Sequence, residues 1–288
     1  MQIKYGLPYR GSKKAIAPDI VDALPAAINL YDLFAGGCAI SHCALLSGRY
    51  KNVFANDLND APQLFLDAVD GKYKNERRWI SREQFHAEKA IDPYIRWVWS
   101  FGNNGCDYLF GKENEEIKKV AHEYLFKNGY DGTTKTRIKL IKQFKTDKNI
   151  VGRFELERLQ QLQQLQQLEQ LERFQQLQQL QQLERLQITQ KDYRKIKIRK
   201  DSVVYCDIPY AQKANRPKRK YYGLDFNHEE FYEWARSAAF PVYFSSVFAP
   251  KDFKVVWSGV KQCTIKNINS HGQKEVIEKL FWNGVKCK

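Results

Sequence analysis

Hydrophobic and polar positions divide this chain into short apolar runs closed by turn residues. Val203-Val204-Tyr205-Cys206 is β-branched, apolar and polar-flanked, so it reads as a buried strand that ends at Asp207-Ile208-Pro209-Tyr210. Residues 27–40 predict an apolar strand, a tight turn at Gly36-Gly37 and the start of a helix. Asn52-Val53-Phe54-Ala55-Asn56-Asp57, Leu186-Gln187-Ile188-Thr189 and residues 241–247 predict further strands. Ala15, Ile16, Ile20 and Val21 carry helical spacing, and residues 228–235 read as another helix. Strands alternating with helices imply an α/β fold with a largely parallel sheet.

The middle of the chain departs from that alternation. Across residues 76–155, Trp79, Trp97, Trp99, Phe101, Tyr108 and Phe110 interleave with Arg77, Arg78, Arg82 and Arg96, a mixture that suits base stacking and core packing equally. A basic stretch follows, with Lys135, Arg137, Lys139, Lys142, Lys145 and Lys148. Residues 156–186 then repeat leucine every third position with glutamine mostly between. At about 100° per residue a step of three spreads leucines over every face of a straight helix, although each residue type present favours helix. The tract is therefore expected either to be wrapped by neighbouring elements or to fold as a compact stack, and to act as a structural spacer.

A chain of 288 residues accommodates a catalytic domain with an insertion. Its formal charge of +14 favours a polyanionic partner, because neutralising phosphates releases counterions. Six cysteines without a Cys-x-x-Cys pair indicate neither a zinc site nor a disulfide framework, which fits a reducing cytosol. With no apolar stretch of signal or membrane length, a cytoplasmic protein without a membrane contact is expected.

The candidate chemistry sits at strand ends. Asp207-Ile208-Pro209-Tyr210 presents a carboxylate, a backbone carbonyl and a ring just past a strand, a grouping able to hold a planar exocyclic amine but also compatible with an ordinary turn. Gly36-Gly37 lacks the Gly-x-Gly-x-x-Gly spacing, so a mononucleoside ligand suits it better than a dinucleotide. Asp57 lies about 20 residues on, within ribose-reaching spacing, and equally reads as a helix cap. Residues 7–14 form a turn carrying Lys13 that could hold an anion or carboxylate. Lys213, Arg216, Lys218, Arg219 and Lys220, unaccompanied by an acid, suit a clamp on a DNA backbone.

Taken in order, these segments resemble the Dam-like (D12) class of DNA adenine N6-methyltransferases. Tyr9, Gly11, Ser12 and Lys13 match that family's N-terminal cofactor motif, and Asp32-Leu33-Phe34-Ala35-Gly36-Gly37 its glycine turn. Asn56-Asp57 matches the ribose-binding acid, Asp192-Tyr193 resembles the pair that flanks the cofactor adenine, and Asp207-Ile208-Pro209-Tyr210 matches the catalytic tetrapeptide. The order of these blocks is that of adenine rather than N4-cytosine enzymes. Leu33, Cys38 and Ile208 depart from a common proline, glycine and proline.

The resemblance implies a Rossmann-like methyltransferase domain from residues 1–75 and 187–288. Residues 76–155 would form a target-recognition insert, with the leucine-glutamine repeat at 156–186. It further implies S-adenosylmethionine as cofactor, no metal and double-stranded DNA as partner, and leaves room for a cognate restriction endonuclease. Its activity would be transfer of a methyl group to adenine N6 by in-line displacement on a flipped base. A DNA-binding regulator inactivated by Ile208, an assembly scaffold built on the repeat, and an N4-cytosine enzyme are the competing readings. Oligomeric state is left open. C5-cytosine methylation is disfavoured, since no Pro-Cys pair occurs.

Overall fold

The computed structural model describes residues 5–147, 150, 166–177, 185–209, 226–262 and 275–287. Tyr210, Lys213, Arg216, Lys218, Arg219 and Lys220 lie outside these residues, as do 156–165 and 178–184 of the repeat. The chain divides into two compact units, one of Met1–Gly6, Ser12–Pro62 and Gln182–Lys288, the other of Leu7–Gly11 and Gln63–Gln181.

The first unit is built on a sheet of seven strands among the described residues. These are β1 (Asn29–Asp32), β2 (Asn52–Asp57), β3 (Leu186–Gln190), β4 (Ser202–Cys206), β5 (Val242–Ser246), β6 (Lys254–Gln262) and β7 (Glu275–Trp282), in the order β3-β2-β1-β4-β5-β7-β6. The first five run parallel and β7 is antiparallel to both neighbours. Every residue of β1, β4 and β5 is buried, which is why Val203-Val204-Tyr205-Cys206 and Val242-Tyr243-Phe244 appear in the sequence as apolar runs rather than alternating ones. The helices α1 (Ala17–Ala23) and α2 (Ala39–Ser47) belong to this unit, as does a late helix spanning His228–Ser237. That late helix starts where Asn227 accepts the Glu230 N–H, and it buries Phe231, Tyr232 and Ala235. Phe231 joins Tyr31, Leu33, Val204, Ile208, Val242, Phe244 and Phe281 in the core.

β6 and β7 are not among the strands predicted above, although Val255-Val256-Trp257 in β6 is a β-branched apolar run of the same kind. Within β7, Val276, Ile277, Leu280 and Phe281 have helical spacing, yet pairing with β5 and β6 makes the segment extended. Tertiary partners override the local pattern here.

The second unit is helical over its described residues. α3 (Ala61–Val69) leads into it, followed by α4 (Arg82–Glu88), α5 (Pro93–Val98), α6 (Lys112–Lys127), α7 (Thr134–Thr146) and α8 (Gln166–Leu177); the late helix of the first unit is then α9. Ser81, Asp92 and Thr133 cap α4, α5 and α7 with side-chain oxygens. Trp97, Trp99, Tyr108 and Phe110 are buried, while Phe101 is 63% exposed on a turn. The arginines nearby are engaged within the unit: Arg82 packs over Tyr108 and pairs with Glu115, and Arg78 pairs with Glu76 over Tyr94. These side chains are engaged in packing and ion pairs within the unit.

The repeat is helical over residues 166–177 and wrapped by neighbouring elements, the first of the two arrangements expected for it. Leu168, Leu171 and Phe174 are buried, and Phe174 meets the rings of Tyr73 and Tyr94. Its polar face is buried too: Glu172 accepts from Arg137 Nε at 2.7 Å, Tyr130 Oη at 3.0 Å and Thr134 Oγ1 at 2.6 Å. A helix with no single apolar stripe thus finds apolar and polar partners around it.

Candidate active site

The strand order reverses between β1 and β4, the place where open α/β sheets leave a crevice at their carboxyl edge. Asp32 ends β1, Asp57 ends β2 and Asp207 follows β4, so the topology gathers three carboxylates at that edge. Asp32 is buried; its Oδ2 accepts from Ser41 N at 3.2 Å and Ser41 Oγ at 2.7 Å. Asp32 Oδ1 has no hydrogen-bond partner among the described residues. Burial pushes Asp32 up to about 7; the Ser41 hydroxyl opposes the shift, and the charges of Asp207 and Asp57 add to it. Asp57 is likewise raised by burial to about 6, against the N–H groups of Asn59, Gly36 and Leu58, with Asp207 adding repulsion.

Asp57 braces the glycine turn. Its Oδ2 accepts the Gly36 N–H at 2.8 Å, and its Oδ1 accepts from Asn59 N and Nδ2 at 3.1 and 2.7 Å. Gly36 at φ 48° and Cys38 at φ 60° both occupy the left-handed region, so Cys38 stands where a residue without a side chain is least strained. Gly37 comes so close to Gly6 that a Cβ on Gly6 would lie 2.4 Å from the Gly37 carbonyl oxygen.

One edge of the crevice is aromatic. Phe34, in the turn after β1, lies 5.2 Å from the ring of Tyr193 and 5.7 Å from that of Phe226. Tyr193 in turn meets Trp234 edge-on at 5.0 Å. Asp192 is engaged by Arg194, whose N–H and guanidinium hold its carboxyl below the usual range.

The tetrapeptide is fixed on two sides over its described residues. Ile208 is 1% exposed and packs in the core with Leu33, Val204 and Phe231. The Pro209 carbonyl accepts from His228 Nε2 at 2.7 Å, which places the proton of that imidazole on Nε2. Lys13 Nζ donates to Asp207 Oδ1 and lies 3.6 Å from Glu278 Oε1. Burial works against the Lys13 ammonium, but the two carboxylates raise its pKa above the usual lysine value.

Of the residues singled out in the sequence, Lys13, Asp32, Phe34, Gly36, Gly37, Asp57, Asp192, Tyr193, Asp207, Ile208 and Pro209 all belong to the first unit. Ser12 belongs there too, its Oγ accepting from Lys14 N at 3.3 Å. Tyr9 and Gly11 fall in the second unit, where the Tyr9 ring lies 5.2 Å from Trp97. Sequence reading missed Ser41, His228 and Glu278 as individual partners. Glu278 carried a signal, an acid inside an apolar run, and His228 lies in the segment Phe226-Asn227-His228-Glu229-Glu230-Phe231 that also resembles the family, whereas Ser41 carried none beyond its place on a helix. No group of His, Cys, Asp and Glu among the described residues could hold a metal ion, and no described helix is long and apolar enough to cross a membrane.

A family model described as D12 class N6 adenine-specific DNA methyltransferase matches residues 9–240. No curated protein sequence matches the chain.

Proposed function

The chain belongs to the D12 class of N6 adenine-specific DNA methyltransferases, and we propose that it carries a methyl group from S-adenosylmethionine to adenine N6 at the edge formed by Asp32, Asp57 and Asp207. The observation that carries this reading is that the ends of β1, β2 and β4 bring three carboxylates to one edge of the sheet, with the ring of Phe34 in the turn that follows β1. A ligand bearing positive charge and a purine suits both features: a cation favours the ionised carboxylates that burial, with a smaller contribution from neighbouring acids, disfavours at Asp32 and Asp57, and Phe34, Tyr193 and Phe226 offer ring faces and edges. Asp32 Oδ1, buried and without a hydrogen-bond partner among the described residues, is a further acceptor for such a ligand. When bound, S-adenosylmethionine supplies an electrophilic methyl on a good leaving group.

The protein's own work is to hold the amine. The adenine N6 lone pair is delocalised into the ring, and two acceptors on its hydrogens make it available. Asp207 and the Ile208 carbonyl are the acceptors assigned here. Ile208 lacks the fixed torsion of a proline, but Pro209 biases it towards extended backbone and its buried side chain adds a second restraint. His228 holds the next carbonyl, that of Pro209. Tyr210 is assigned to stack on the flipped base, and Lys213, Arg216, Lys218, Arg219 and Lys220 to pair with phosphates of duplex DNA. Residues 76–155 are assigned to target recognition, with residues 1–75 and 187–288 as the Rossmann-like catalytic domain.

Replacing Asp207 with alanine tests the assignment. Methyl transfer, read by sequencing that reports N6-methyladenine directly, should vanish while DNA affinity persists. Methylation retained by the Asp207→Ala variant would dismiss the residue, and N4-methylcytosine from the wild type would dismiss the amine assigned. DNA binding without any methyl transfer by the wild type would make the chain a regulator.

A further inference from the structure

Lys13 stands between two carboxylates of unequal access. Its side chain is 3% exposed, that of Asp207 is 23% exposed and that of Glu278 is fully enclosed. Strand register explains how they meet. Cys206 is paired with Phe244, and Ser246 with Lys279, so Asp207 and Glu278 each stand one residue past the last pair on either side of β5. Their backbones are two strand spacings apart and offset by two residues along the strands, roughly 12 Å, a gap that one long side chain bridges together with the two acid side chains.

This arrangement conflicts with the role assigned to Asp207. A carboxylate that already binds an ammonium is a poorer acceptor for the weakly polar N–H of an aromatic amine. An ammonium released into a buried site without a partner would be costly, so Lys13 cannot simply let go. Glu278, 3.6 Å away, supplies a second carboxylate. A small change in the lysine torsions exchanges one oxygen for the other, and the proton stays on Nζ throughout.

Resting on the reading of Asp207 given above, we propose that Glu278 is a positioning residue that takes Lys13 from Asp207 as the target adenine enters. The carboxylate open to the crevice is thereby left to accept from N6. The enclosed carboxylate keeps the lysine charge paired. Glu278 itself never touches the base, because its side chain has no exposed surface.

The test uses the full chain, S-adenosylmethionine and a plasmid that the wild type methylates. Glu278→Gln should lower the single-turnover rate about tenfold or more, with affinities for donor and DNA changed by less than about twofold, because the enclosed charge that draws Lys13 away from Asp207 is then lost. Adding Lys13→Met to Glu278→Gln should restore part of that rate at saturating donor, since Lys13 then no longer holds Asp207. A wild-type rate in Glu278→Gln, or a double variant that folds cooperatively and is no faster than the single one, would overturn the proposal. Should Glu278→Gln fail to fold, Glu278→Asp keeps the charge and withdraws it by one methylene. That variant should be slower than wild type at unchanged donor affinity, and an undiminished rate overturns the proposal equally. Asp207→Asn separates the two claims. If it remains active, the reading of Asp207 falls; if it is dead while Glu278→Gln is unimpaired, only the role of Glu278 falls.

Discussion

Asp57, at the end of β2, accepts the Gly36 N–H at 2.8 Å, so the acid that ends one strand fastens the turn that follows its neighbour. Spacing had suggested that this acid reaches a ribose. The geometry adds a second duty, because a loosened turn would also unseat Phe34. Asp57→Ala should therefore weaken S-adenosylmethionine binding by about 1–3 kcal/mol, the range of a lost charged hydrogen bond and the acceptor it leaves unmet. Asp57→Asn keeps an oxygen for Gly36 and should lose less. Calorimetry giving equal affinities for wild type and Asp57→Ala would remove the residue from donor binding.

Asp32 makes the donor-free protein sensitive to pH. Its carboxyl is raised from an ordinary value near 3.8 to about 7, so between those values the folded chain binds more protons than the unfolded chain. Stability must then fall as pH rises from about 4 to about 7 and level off above it. Asp32→Asn should flatten that decline in thermal melts. Binding of a cationic donor favours the ionised acids, so protons should be released on binding at pH 6–7, which calorimetry in buffers of different ionisation enthalpy would detect. Proton uptake would contradict the assigned placement of the donor.

Ile208 combines a catalytic position with a core one. Ile208→Pro keeps the backbone carbonyl and the extended geometry but gives up methyl groups packed against Leu33 and Phe231. It should cost about 1–3 kcal/mol in denaturant unfolding while methyl transfer persists at a temperature where the variant is folded. A folded but inactive Ile208→Pro would mean that the carbonyl is not presented as argued.

The repeat should tolerate less than its period suggests. Excising Gln160 to Leu177 removes 18 residues, about five helical turns, and so preserves both helical phase and the three-residue repeat. It also removes Glu172 and Phe174. Phe174→Ala should cost about 3–5 kcal/mol through the cavity left beside Tyr73 and Tyr94. Glu172→Gln should cost a similar amount, roughly 3–5 kcal/mol, by leaving Arg137 short of its closest buried counter-charge. The 18-residue excision should abolish cooperative unfolding of the helical unit, and a protease-resistant, active deletion would refute the core assignment.

Much of the first unit was legible in the chain itself. β4 and β5 announce themselves because parallel strands buried on both faces are rich in apolar, β-branched and aromatic residues, whereas β2 and β3 are read from alternation, apolar at Val53 and Ala55 and at Leu186 and Ile188. The tetrapeptide at Asp207 and the turn at Gly36 could be named for the same reason: their chemistry lies in adjacent residues. What stayed hidden depends on partners far away in the chain. β7 carries helical spacing and became a strand because β5 and β6 lie beside it; α8 has no apolar stripe and became buried because Arg137, Tyr130 and Tyr73 surround it. The aromatics of residues 76–155 divided into a buried majority and an exposed Phe101 by packing that composition does not encode. Lys13, Asp207 and Glu278 form one charged group only because the strand order sets β4, β5 and β7 side by side. A local pattern reports how deeply a segment is buried and where it turns, whereas the identity of the group across from it is decided only when the sheet is assembled.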